Sequence, residues 1–233
     1  MPTSIPGFKY DVVISYCQKD NIYNGWVSEF ANNLTWELRK IYGPKFSVCL
    51  RDPNLPYENR HQKSLVFIPV MSHRYCNPQG KEWISEFKKF VDDANGDDYG
   101  IELAREGKTA VHRVVPILIN KLEDSKLALL EKETDSDIKP IELIYQSSVI
   151  DRPLMPSDQP PKNECNTIYA NQLKKVARAV ELVIETMKLT DVNHEKTTVQ
   201  MKYELMLKEN ELRKQKNSIP WMARLATSIP YHF

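Results

Sequence analysis

The sequence is short of glycine, of paired cysteines and of net charge, and each shortage closes off a class of protein. Seven glycines against fifteen prolines exclude collagen-like and Gly-rich low-complexity chains, and predict few flexible hinges and many fixed turns. The four cysteines, Cys17, Cys49, Cys76 and Cys165, form no Cys-x-x-Cys pair, and no histidine stands at zinc-ligand spacing from them. A chain of this size is then expected to be reduced and cytoplasmic, not stapled by disulfides. Lys and Arg total 32 against 31 Asp and Glu, so bulk charge proposes neither a nucleic-acid nor an anionic-membrane partner. No stretch approaches the roughly 18–20 consecutive apolar residues that a bilayer span needs. Met1 to Gly7 carry no basic start and no apolar run, so no secretory signal is expected. No Gly-rich phosphate loop follows the first strand, and the histidines are scattered, so neither a nucleotide loop nor a metal site is expected.

What remains is an ordinary globular balance, 41% hydrophobic and 27% charged over 233 residues, enough for one large domain or a domain with an extension. Tyr10-Asp11-Val12-Val13-Ile14-Ser15-Tyr16 is a short apolar run rich in β-branched residues, the pattern of a strand buried on both faces. Val27, Phe30, Leu34, Leu38 and Ile41 then recur at helical spacing, and Gly43-Pro44 ends that helix. Further strands are expected at 46–50, 64–70, 112–119 and 140–145. Asn77-Pro78 reads as a cap and first turn, which predicts a helix over 78–93 burying Trp83, Ile84, Phe87, Phe90 and Val91. Residues 94–109 read as an exposed loop, and 151–166, rich in proline, as a surface wrap. A helix over 167–188 buries Leu173, Val176, Ala177, Val180, Ile184 and Met187. Alternating strands and helices imply crossovers, hence a mostly parallel sheet covered on both faces. From 189 onward the character changes to a Lys- and Glu-rich helical stretch and a short apolar tail. That stretch reads as a linker, an oligomerising helix or a solvated face, and the tail as a docked or a disordered one.

The first run resembles the opening strand of the Toll/interleukin-1 receptor homology (TIR) family. Three segments agree in order: Gly25-Trp26-Val27, Ser64 to Ser72, and Trp83 with Glu86-Phe87. Ile144-Tyr145 and Arg152-Pro153-Leu154 are similar to a later segment of the bacterial branch. The resemblance covers roughly 8–188. It implies a flavodoxin-like three-layer α/β/α domain with a five-stranded parallel sheet, and the helical extension expected over 189–233 from its composition has no counterpart in the family pattern. It also implies a role in signalling or antiviral defence. Many members cleave NAD at the nicotinamide–ribose bond upon self-assembly, or convert it to a cyclic ADP-ribose, and others are non-catalytic adaptors that bind other TIR or effector proteins. The family's catalytic glutamate carries onto Glu86, and Ser15, Tyr16 and Trp83 become candidates for holding NAD, which is a substrate here and not a cofactor.

The chemistry suits a single carboxylate. Cleavage builds positive charge on the ribose, as in glycoside hydrolysis, but nicotinamide departs neutral and needs no general acid. Glu86 is expected at the edge of the apolar stripe, partly screened from water. An acidic residue early in a helix is equally explained by the macrodipole. Ser15 reads either as a ligand group at a strand end or as a hydroxyl satisfying local backbone. Cys17 reads either as a reactive thiol or as a small buried residue. The chain departs from the family pattern at three points. Glu86 follows Trp83 by three residues where relatives have four, Cys17 replaces a basic residue, and only residues 51–63 are available for a loop that is longer in relatives. A TIR interaction module without catalysis, or a truncated chain that has lost a C-terminal effector, are the competing readings.

Overall fold

Val12, Val13 and Ile14 are almost fully buried, and their side chains alternate between two separate cores. A computed structural model of the chain describes residues 3–50, 64–105, 107–145, 151–158 and 168–218. Among these the strands are β1 (Tyr10–Ser15), β2 (Val48–Leu50), β3 (Ser64–Met71), β4 (Glu102–Arg105), β5 (Lys108–His112), β6 (Ile117–Leu118) and β7 (Ile141–Glu142). The helices are α1 (Trp26–Tyr42), α2 (Lys89–Asn95), α3 (Asp124–Thr134) and α4 (Ile168–Ser218), with a π-helical segment, Trp83–Lys88, running directly into α2.

Five strands form one parallel sheet in the order β2-β1-β3-β6-β7. Successive strand residues point to opposite faces, and the two cores follow from that alternation. Val12, Ile14, Val66 and Ile68 pack with Phe30 and Leu34 of α1 and Val176, Val180 and Ile184 of α4. Val13, Phe67 and Met71 pack with Trp83, Phe87, Phe90 and Val91, and with Leu130 of α3. The expected three layers are therefore present. α1 ends at Gly43, whose φ of 86° is the left-handed region that glycine enters without strain.

Asp11 explains why a charged residue stands inside a buried strand. Its carboxylate accepts from the amides of Ser4 and Ser47 at 2.7 and 2.8 Å and from the Ser47 hydroxyl at 2.8 Å. The strand leading into β2 and the segment before β1 are thus both anchored to one side chain, and the charge is balanced by donors.

Four local expectations are corrected. Asn77 does not begin the helix. Its carbonyl accepts from the Gly80 amide at 2.7 Å and its side chain from the Gln79 amide at 3.1 Å, closing a separate turn, so that helical backbone starts at Lys81. The span 94–109 is not an exposed loop: β4 and β5 form an antiparallel hairpin with Gly107 at φ 64°, and Ile101 and Leu103 are buried. The strands at 112–119 and 140–145 shrink to two-residue ladders, because Pro116 and Pro140 bring no backbone donor to the sheet. α3 stands where no helix is expected, and the helix expected over 167–188 and the helical stretch expected beyond 189 form one continuous α4. The expectations for 159–167 and for the tail after 218 lie outside the described residues.

Chain contacts separate two units, Met1–Lys188 and Leu189–Phe233. In the second, the described residues continue as helix to Ser218, with Leu189, Tyr203, Leu205, Met206 and Leu207 exposed. Among the described residues no helix is long and apolar enough to cross a membrane.

Two ion pairs tie irregular segments to the sheet. Arg113, 1% exposed, donates to the carbonyls of Leu65, Ser64 and Gly100 at 3.0, 3.0 and 3.1 Å and to Asp97 at 2.6 Å. It thereby locks the hairpin to the start of β3. Arg113→Ala leaves these acceptors without a donor, and a loss of about 3 kcal/mol is expected by urea denaturation. Arg152 holds both oxygens of Asp158 at 2.8 and 2.7 Å while stacking 3.9 Å from the Tyr145 ring centroid. These bonds hold the Asp158 carboxyl below its ordinary value of 3.8. A lowered folded-state pKa stabilises above the ordinary value and loses that contribution as pH falls through the lowered one. The stability gap between the parent and Asp158→Asn should therefore be full above about pH 4 and close at lower pH, as read by denaturation across that range.

Candidate functional site

In an open parallel sheet of this order, successive crossovers leave β1 and β3 in opposite directions, and a crevice forms beyond their carboxyl ends. The sequence-predicted residues can be placed against that crevice. Ser15 is the last residue of β1 and shares the face of Val13, toward Trp83 and Phe87. Its hydroxyl donates a short hydrogen bond to the Glu86 carboxylate. Tyr75, in the turn after β3, donates to the same hydroxyl at 2.9 Å. Phenol, hydroxyl and carboxylate therefore form a directed relay that ends on Glu86.

Glu86 is 1% exposed, deeper than the stripe edge at which its spacing placed it. The reason is that the buried positions Trp83, Glu86, Phe87, Phe90, Val91 and Ala94 follow one continuous helical face, and Glu86 occupies a core position of that face. It lies inside the π-helical segment, a widened turn that recurs at functional sites because it places a side chain where an α-turn would not.

Trp83 is fully buried, 4.6 Å from the Phe87 ring and edge-on to Tyr75 at 6.3 Å, and its indole nitrogen has no hydrogen-bond partner among the described residues. The structure thus brings Ser15, Trp83 and Glu86 together. Tyr16 is not part of the group: it is buried in the other core, with α1 and α4.

Tyr75 is the residue that sequence reasoning missed. A single aromatic in a turn has no periodicity to mark it, and only the strand register brings it to Ser15. Its position is fixed by a second set of bonds. The Ser72 hydroxyl donates to Asp20 and accepts from the Arg74 and Tyr75 amides at 3.2 and 3.0 Å. Arg74 also pairs with Asp20 at 2.9 Å. The turn after β3 is thereby latched to the 3-10 turn Gln18–Asp20 that follows β1.

The neighbouring cysteines are held in the thiol form. Burial raises the pKa of Cys17, and burial pushes the Cys76 thiol up to about 12, so both stay protonated at neutral pH. The buried reading of Cys17 is the one the structure supports. Among the described residues no cluster of His, Cys, Asp and Glu could hold a metal ion. A cavity of about 260 Å³ lies elsewhere, between His112, Pro116, Ile138 and Leu182, and none of the predicted site residues lines it. The segment 51–63 lies outside the described residues.

Fold and site define an α/β protein with a five-stranded parallel sheet in flavodoxin-like order and a carboxylate buried at its switch point. No protein-family profile matches the chain, and no curated protein resembles its sequence at a significant level.

Ser15→Ala removes the hydroxyl that both Tyr75 and Glu86 bond. A loss of about 1–3 kcal/mol is expected, and adding Tyr75→Phe should cost less than the sum of the two, as a shared network requires. Urea titration of the two single variants and the double variant measures this.

Proposed function

We propose that this is a TIR-type signalling or defence protein that cleaves NAD at the nicotinamide–ribose bond, with Glu86 as the catalytic carboxylate. The observation that carries the reading is the placement of Glu86. It is a carboxylate on the helix after β3, bonded by the last residue of β1, at the switch point where such sheets bind ligands. In the reaction, the bond between ribose C1′ and the pyridinium nitrogen breaks with its electron pair leaving on nicotinamide. Water then adds to C1′ and releases a proton. Glu86 faces the developing ribose cation, and the low-dielectric surroundings formed by Trp83 and Phe87 strengthen its field there. The Tyr75–Ser15 relay holds the carboxylate in one orientation. Its side chain must be uncovered for a ribose to reach it, and this reading assigns that step to self-association.

A second reading is favoured by the closure itself. A carboxylate that is 1% exposed and bonded by a buried hydroxyl also serves as a structural group in a non-catalytic interaction module that binds other TIR or effector proteins. The two separate on one experiment, in which concentrated protein is incubated with NAD and free nicotinamide is followed by chromatography. Catalysis predicts release that falls at least about a hundredfold in Glu86→Gln, the scale of losing one electrostatic stabiliser, while the variant remains folded. Equal release by Glu86→Gln would sink the role of Glu86. Concentration-dependent association with no release under any assembling condition would establish the interaction module instead.

A further inference from the structure

The unit Leu189–Phe233 carries apolar residues that its own helix cannot bury. Leu189, Tyr203 and Met206 are 67%, 57% and 50% exposed. With Val192 and Val199 they recur at alternating spacings of three and four along α4, and Lys196 fills the one polar place in the series. A period of 3.5 keeps such a seam on one side of a helix, and it is the pattern of helices that pair along their length.

The charges beside the seam identify its partner. Glu195 and Lys202 stand one heptad apart on the same flank, immediately before Lys196 and Tyr203. Consider a second copy of the helix laid antiparallel, with Leu189 level with Met206 of the other copy and Val192 level with its Tyr203. That single register sets Glu195 against Lys202 twice, once on each side of the two-fold axis. It also sets Asn193 against Gln200 on the opposite flank, an amide facing an amide. Lys196 falls level with Val199 of the other copy, so the one polar place in the seam faces an apolar one and not a second lysine.

A parallel pair loses all of this. Lys196 meets Lys196, Glu195 meets Gln200, and Lys202 meets Leu207. We propose that the helix beyond Leu189 is a dimerisation element that pairs antiparallel with the same helix of a second copy of this chain. The Glu195–Lys202 pairs fix its direction and the Leu189–Met206 and Val192–Tyr203 layers supply its apolar contact. The seam spans about 27 Å at the usual helical rise, and its isologous symmetry closes at two copies.

The test uses the full chain and sedimentation velocity over a range of concentrations. The parent protein should dimerise. Glu195→Lys and Lys202→Glu, each of which sets like charges opposite, should each raise the dimer dissociation constant tenfold or more. The double variant Glu195→Lys/Lys202→Glu should return it to within about threefold of the parent, a difference of less than 1 kcal/mol. Both changes exchange one good helix former for another, and circular dichroism should show unchanged helix content. A parent that stays monomeric, as when the helix covers its own domain, overturns the proposal. So do single variants that dimerise as the parent does, which is the outcome for a parallel pair or for association through the first unit alone, and so does a double variant that stays weak.

Discussion

The interior of this domain is organised around a buried carboxyl group that has to be held. Carrying a carboxylate out of water costs several kcal/mol unless hydrogen bonds replace its hydration. Glu86 meets that requirement with the hydroxyl at the end of β1, which is in turn bonded by Tyr75. The demands propagate outward. Tyr75 can donate to Ser15 only if the turn after β3 keeps its shape, and that shape depends on Ser72, whose hydroxyl is taken by Asp20 beyond β1. The two strands that bound the crevice are thus joined twice: by their ladder, from Tyr10 opposite Ser64 to Ser15 opposite Pro69, and by this polar latch beyond its end.

The two ends of the sheet solve the same problem for different purposes. At the amino end Asp11 and Arg113 bury charge against backbone donors and acceptors, which fixes the edge segment and the hairpin. Most of those bonds are to main chain, joined by one side chain each, the Asp97 carboxylate for Arg113 and the Ser47 hydroxyl for Asp11. At the carboxyl end the relay runs through side chains, so its geometry can change without breaking a strand ladder. A fold that keeps main-chain clamps at one end and side-chain relays at the other separates stability from the place where chemistry is proposed.

Much of this was legible in the sequence. β1 and β3 were readable because strands buried on both faces are written as continuous apolar runs, and α1 because five apolar residues mark one face and glycine-proline closes it. The hairpin over 102–112 was not, since its buried alternation amounts to Ile101 and Leu103 among charged residues. α3 was hidden for a related reason: only Leu130 and Thr134 of its residues are buried, too few to write a stripe among its Lys and Glu. For the site, Glu86 and Trp83 were found by motif and Ser15 by its place at a strand end. Tyr16 was grouped with them by adjacency, yet alternation along a strand sends neighbours to opposite faces. Tyr75 depends on which turn the sheet register brings near, and that is a property of three dimensions alone.

The widened turn over 83–88 has a consequence for how the chain can change length. A π-turn is closed by bonds to the fifth residue, so it holds one residue more than the α-turn it replaces. Deleting a single residue there lets the backbone re-form ordinary bonds to the fourth, while α2 and the strands beyond keep their places. Elsewhere in a buried helix the same deletion would swing every following side chain about 100° around the axis. The stretch with this spare residue also carries Glu86, so the spacing between the indole and the carboxylate is a dimension that can change by one residue while the elements beyond it stay in place.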